Sequence, residues 1–222
     1  GGEAGAGAPA GEAACGVRGI SVLGRSEPVN DGGRLESRMT FEVAGVSTAD
    51  ERYGPQRLVF ALSGLDVAAW SNLTESLSSM QALAITQASG GPQQFEQQMA
   101  AMQQVNAAVR DLAAAGFSVG FPELTVTTPE GVIEGSARIA HPELTADQKA
   151  EMLMVMQQLT GKMDLSLPVA LAEEYPEFRL QLAPLIKQGL LVEQGDRLVL
   201  DASMKDLVLD VNGVEIPLPP LL

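Results

Sequence analysis

The chain has 222 residues, with 14 Lys plus Arg against 28 Asp plus Glu and a formal net charge of −14. That length can bury a proper core, while that charge argues against nucleic acid, which needs a basic face, and against adsorption to anionic headgroups. One Cys and one His exclude an internal disulfide, a Cys/His metal cluster and any site built on two histidines.

The start, Gly1-Gly2-Glu3-Ala4, lacks Met and reads as that of a fragment or processed product. Residues 1–16 are Gly, Ala, Pro and Glu in the main and read as a flexible linker ahead of one domain over 17–222. Cys15 follows Glu12-Ala13-Ala14, which lacks the bulky apolar residue of a lipidation signal, so an inert thiol is expected there. No signal peptide is legible, nor any apolar run of the ~18 residues a membrane helix needs.

From Leu35 the pattern has period two: Leu35, Met39, Phe41 and Val43 face one way and Glu36, Arg38, Thr40 and Glu42 the other. That alternation predicts a strand with one wet face, hence an antiparallel sheet. Tyr53-Gly54-Pro55 turns into a second strand carrying Leu58, Phe60 and Leu62, which Gly64 ends. Asp66 then caps a helix. Trp70, Leu73, Leu77, Met80 and Ala84 form its stripe, Gly90-Gly91-Pro92 breaks it, and Phe95, Met99, Met102, Val109 and Leu112 mark a second helix stopping at Gly116.

Strands resume at Phe117, Val119 and Phe121. Pro122 predicts a bulge or edge. Thr128-Pro129-Glu130-Gly131 turns the chain into a return strand with Ile133, Ala137 and Ile139. Thr145 and Gln148 form a capping box for a helix with Met152, Val155, Met156 and Leu159, expected to end at Gly161. A short strand carries Met163, Leu165 and Leu167 to Pro168. A helix follows over 171–187, broken at Pro176 and irregular at Pro184. The tail is hairpins, with Asn212-Gly213 the strongest turn signal in the chain. Strands joined by hairpins, with helices between, predict an α+β fold: a curved, mainly antiparallel sheet with a long helical hairpin and further helices packed on one face.

Chemistry is sparse. His141 lies at a strand end with no Ser or Cys motif to partner it and reads as a solvated loop residue. Asp201 and Asp210 in tail strands, and Glu173, Glu174 and Glu177 in a helix, leave a hydrolase with paired carboxylates as a minor reading. No phosphate-cradling loop is present. The sequon Asn72-Leu73-Thr74 falls within a helix and is discounted. The methionines carry more content. Met80, Met99, Met102, Met152 and Met156 lie on helices, either as filler between helix and sheet or as a soft apolar groove, since Met adapts to varied apolar partners. No catalytic residue, metal site or cofactor is expected.

Two segments carry a resemblance. One runs from Phe121-Pro122-Glu123-Leu124 through Thr128-Pro129-Glu130-Gly131 to Ile139. The other comprises Gln188-Gly189-Leu190-Leu191, Gly195-Asp196, and Val211-Asn212-Gly213 with Ile216-Pro217-Leu218. With Gly54-Pro55 and Leu65-Asp66, in this order and spacing over about residues 17–218, they resemble the C-terminal half of the YdgA-like family, bacterial envelope proteins of unknown function. The resemblance implies a periplasmic domain tethered to the inner membrane through a segment outside this chain. It offers no catalytic residue to carry over. The leading expectation is a non-enzymatic envelope domain that binds a lipid or apolar ligand between sheet and helices. The other is a structural or assembly module that meets an envelope protein or its own copy through the Gln/Ala-rich hairpin.

Overall fold

The computed structural model describes residues 16–86, 91–149 and 151–219. The chain runs β1 (Gly16–Val29), β2 (Arg34–Ser47), β3 (Arg52–Tyr53), β4 (Gln56–Asp66), α1 (Val67–Thr86), α2 (Pro92–Ala114), β5 (Phe117–Thr128) and β6 (Gly131–His141). It continues α3 (Ala146–Lys149), α4 (Met152–Gln157), β7 (Thr160–Pro168), α5 (Val169–Glu174), α6 (Pro176–Lys187), β8 (Val192–Gln194), β9 (Arg197–Lys205), β10 (Val208–Val211) and β11 (Val214–Pro217). The strands form one eleven-stranded sheet in the order β1-β2-β4-β5-β6-β7-β9-β10-β11, with β3 on β2 and β8 on β9. Every pairing is antiparallel. The fold class is α+β.

Register sorts the side chains onto two faces, because alternate residues of a strand point opposite ways. Phe41, Leu58, Leu124, Gly135, Leu165 and Leu200 pair in succession across six strands and make an apolar row. The helices lie against this face. Leu171, Ala172 and Leu182 of α5 and α6 bury against Leu167, Leu191 and Leu198 at the β7–β9 end. The base of the α1–α2 hairpin meets β2, β4 and β5, where Trp70 and Leu112 approach Leu35, Leu62 and Val119.

The expected caps are present. Asp66 Oδ1 accepts the Ala69 amide at 2.8 Å, and both arms of the Thr145–Gln148 capping box form. At Gly116, φ is +82°, and a Cβ there would meet the Glu143 amide at 2.9 Å, so only glycine lets the end of α2 lie this close to the segment after β6. The bulge expected at Pro122 is real: register shifts between Phe121 and Leu124.

Three expectations change. Gly16, read as linker, opens β1, a 14-residue strand paired with β2 along its length. Residues 1–15, with Cys15, lie outside the described residues. The helix expected to run to Gly161 is two short ones, α3 and α4, and Gly161 lies inside β7 opposite Ile139. Its carbonyl and amide go to a ladder that a helix could not satisfy.

The Asn212-Gly213 hairpin does more than turn the chain. Both residues have positive φ, as a type I′ turn needs. The Asn212 side chain accepts the Asp201 amide at 3.0 Å and donates to the carbonyls of Leu190 at 2.8 Å and Val199 at 3.0 Å. Asn212→Asp keeps the acceptor and strips both donations. It is expected to cost about 2 kcal/mol in urea denaturation, because two half-buried carbonyls lose their partner. A loss below about 0.5 kcal/mol would reduce this side chain to a turn former.

Candidate functional site

The site with the clearest shape is an apolar cleft at the base of the helical hairpin, about 440 Å³ in volume. Leu35, Phe60, Leu62 and Leu65 form its floor from β2 and β4, with Phe117 and Val119 from β5. Trp70 and Leu112 form its roof. Local sequence dictates this shape. Gly64 at φ +70° and the Asp66 cap turn β4 directly into α1, which leaves Trp70 one helical turn above the strand. Gly116 returns α2 to the sheet one turn after Leu112. No side chain lining the cleft is titratable.

The cleft does not end the apolar surface. Phe60 meets Phe121 edge to face at 5.7 Å between ring centres. Phe121 and Ile139 are 43% and 46% exposed, and beside them Met163 is 42% exposed and Phe41 37%. All lie on the helix-bearing face, between the hairpin and α5–α6. Exposed apolar surface that joins a cleft in this way is characteristic of a docking or binding surface.

His141, outside the cleft lining, stacks on Phe117 with ring centres 6.5 Å apart. It is buried rather than solvated, only 4% exposed. Nδ1 lies 2.7 Å from the Pro142 carbonyl and Nε2 2.7 Å from that of Val155. The Nε2 contact ties β6 to α4, while Nδ1 faces the carbonyl of the next residue. The sequence placed this residue correctly at a strand end but could not show that α4 would fold over it.

The methionines are spread out. Met80, Met99 and Met102 of the hairpin are 37%, 41% and 52% exposed. Met152 and Met156 are half-buried on α4. None of the five lines the apolar cleft. The larger side chains at the strand–helix junctions do so, and the signal for them was their proximity to Gly64, Asp66 and Gly116.

The carboxylates are scattered as well. Asp210 accepts the Gly213 amide at 3.0 Å and serves the turn. Asp201 stands opposite Asp164, a partner the sequence did not suggest, on the face away from the cleft. Glu173 and Glu174 lie on α5 and Glu177 on the first turn of α6. Among the described residues no three His, Cys, Asp or Glu side chains are grouped to hold a metal ion. The Tyr53 phenol donates to Glu51 at 2.7 Å, and that bond, with Tyr175 beside it, pushes its pKa well above the ordinary phenol value. Among the described residues no helix is long and apolar enough to cross a membrane.

No curated protein and no solved structure matches the chain. The family model described as a bacterial protein of unknown function (DUF945) matches residues 6–219, from ahead of β1 to beyond β11. The chain belongs to this bacterial family.

Proposed function

We propose that this chain is a non-enzymatic binding domain of the bacterial cell envelope, which holds a lipid acyl chain or a similar apolar ligand between its helical hairpin and its sheet. The observation that carries the reading is the lining of the cleft: eight apolar side chains, none charged, around about 440 Å³. That volume falls within the ~300–1,000 Å³ usual for ligand sites. The exposed band at Phe121, Ile139 and Met163 gives a longer chain somewhere to continue. The YdgA-like resemblance adds the setting: the C-terminal half of a periplasmic protein tethered to the inner membrane.

Trp70 is the only tryptophan in the chain and it roofs the cleft, so its fluorescence reports occupancy directly. Fatty acids brominated along the acyl chain are expected to quench Trp70 in a saturable way. Leu62→Trp and Val119→Trp, each read in a Trp70→Phe background, should be quenched with the same midpoint. Quenching that rises linearly with bromide content and never saturates would mean simple collision, and the cleft would not be a binding site.

A second reading has its own observation. Phe95, Met99 and Met102 lie along α2 at helical spacing and are 65%, 41% and 52% exposed. A stripe of this kind suits an assembly module that pairs with its own copy. Light scattering at high concentration separates the two readings: twice the chain mass, reverting to a single mass in Met102→Glu, favours assembly.

A further inference from the structure

The face of the sheet away from the helices carries one row of directly paired residues: Arg38, Ala61, Gly120, Arg138, Lys162 and Ser203. Arg138 and Lys162 stand opposite each other, an arrangement of like charges that weakens a ladder unless something neutralises it. No carboxylate among the described residues forms an ion pair with either. The ion pairs of the described residues use Arg25, Arg34, Arg57 and Arg110, and none uses Arg38, Arg138 or Lys162. The acids of β2 and β5 on this face are engaged elsewhere. Glu42 and Glu123 both pair with Arg57, and Glu36 accepts from Ser63 and the Gly64 amide.

Between the cations the floor is low. Ala61 and Gly120 separate Arg38 from Arg138, and any side chain at Gly120 would collide with the β6 backbone at Ala137. The β5 bulge at Phe121–Leu124 opens the ladder at the same place. The result is a concavity of about 380 Å³, with Arg38 on one side and Arg138 and Lys162 on the other. Arg38 and Arg138 stand three strand spacings apart, about 14 Å, so two extended guanidinium groups can converge on one ion between them. Ser118 Oγ accepts from Arg138 Nε at 2.7 Å. That bond fixes the plane of the guanidinium and leaves its two terminal nitrogens for a ligand. One acid, Asp164, also lines the concavity, so the lining carries two net positive charges in a chain of net charge −14.

We infer that this concavity is a binding site for a doubly charged phosphate-class oxyanion, with Arg38 and Arg138 as bidentate donors and Lys162 as a point charge. Two arginines suit the planar, paired oxygens of a phosphoryl group, and a dianion matches the net charge of the lining. The site lies on the opposite face from the apolar cleft and stands independently of the reading of that cleft. The strongly acidic chain repels a diffuse anionic surface, so recognition here has to come from these short-range bonds. Free phosphate and the phosphomonoester headgroup of a lipid present the same chemistry.

The test is calorimetric titration of the whole chain with inorganic phosphate, at constant ionic strength made up with chloride. Flotation with neutral phosphatidylcholine vesicles, with and without phosphatidic acid, runs beside it. Wild type should bind one phosphate per chain. Arg38→Gln, Arg138→Gln and Lys162→Gln should each weaken it, the arginine changes by roughly tenfold or more. Arg179→Gln, exposed on α6 against the opposite face of the sheet, should leave it unchanged. These cations are surface-exposed, so melting temperatures close to wild type will verify the fold of each variant. Phosphate binding lost in Arg138→Gln supports a free-phosphate site. Capture only by phosphatidic acid vesicles, lost in the same variant, supports a headgroup site. If neither probe binds, or if the three variants bind like wild type, the inference is overturned.

Discussion

Replacing Arg34 by Met is expected to lower the stability of the fold by about 3 kcal/mol and to shift Trp70 emission to longer wavelength. Arg34 opens β2 at the point where both helices of the hairpin meet the sheet. Its Nη1 donates to the carbonyls of Gly64 at 2.9 Å, Ala115 at 2.5 Å and Gly116 at 3.2 Å. Gly64 is just before α1, and Ala115 and Gly116 are just after α2, so one guanidinium holds the way in and the way out. The carbonyls at the end of α2 have no helical partner of their own and carry the negative end of the helix dipole. The side chain is only 19% exposed, so water does not readily replace it. Its pair with Glu143, at 3.7 Å to a largely exposed carboxylate, adds little. Hydrogen bonds from a charged donor are each worth about 1.5–3 kcal/mol but do not add when they share one group, which is the basis of the 3 kcal/mol figure. Lys at this position supplies charge without the fork and should recover only part of the loss. Leu35, Leu65, Trp70 and Phe117 of the cleft lie around the same junction, so a loosened hairpin should uncover the remaining half of an indole that is 47% exposed. A loss below about 1 kcal/mol with unchanged emission would show that packing alone holds the hairpin.

Arg34 also shows what the sequence makes legible. Alternation from Leu35 placed it at the start of a strand, and Gly64, Asp66 and Gly116 marked where the helices join. Nothing in a single sequence says that residues about 80 positions apart share one hydrogen-bonding group. The fold class follows from local signals: period-two runs, a capping box at Thr145, a cap at Asp66 and an Asn-Gly turn. β1 escaped because it is an edge strand exposed on both faces, which leaves no buried side to produce alternation. Gly19, Gly24 and Pro28 dilute its strand propensity further. The break between α3 and α4 escaped because a capping box and an apolar stripe describe one continuous helix equally well.

The sites divide along the same line. A space between helices and sheet followed from the amphipathic patterns, but its lining did not. Met draws attention as an adaptable apolar residue, whereas Phe60, Leu62 and Val119 look like any core residue until the hairpin is seen to stop short of covering them. The basic row was less accessible still. Arg38, Arg138 and Lys162 each read as ordinary outward residues of a strand. Only the register of five strands brings them level, and register depends on bulges such as that at Phe121–Leu124.

At the other end of the sheet, Leu198→Ala is expected to cost about 3 kcal/mol, within the ~2–5 kcal/mol range for deleting a buried leucine side chain. Leu198 is 2% exposed, pairs with Leu167, and packs in one cluster with Leu171 and Leu182 of the two covering helices. Leu180, on α6 but 74% exposed, is the control, and its change to Ala should stay within about 0.5 kcal/mol. The more telling measurement combines the two ends. The hairpin junction and the C-terminal cluster share no side chain, but β5, β6 and β7 join them in one continuous sheet. If that sheet makes the molecule one cooperative unit, distant changes add to within about 0.5 kcal/mol and unfolding keeps a single transition. The milder pair Arg34→Lys and Leu198→Val suits this cycle, because the two severe changes together approach the ~5–15 kcal/mol total stability of a typical domain. A biphasic unfolding curve, in which Arg34→Lys moves only the first phase and Leu198→Val only the second, would instead make the helical hairpin and its cleft a separately opening element on a sheet anchored from its C-terminal end.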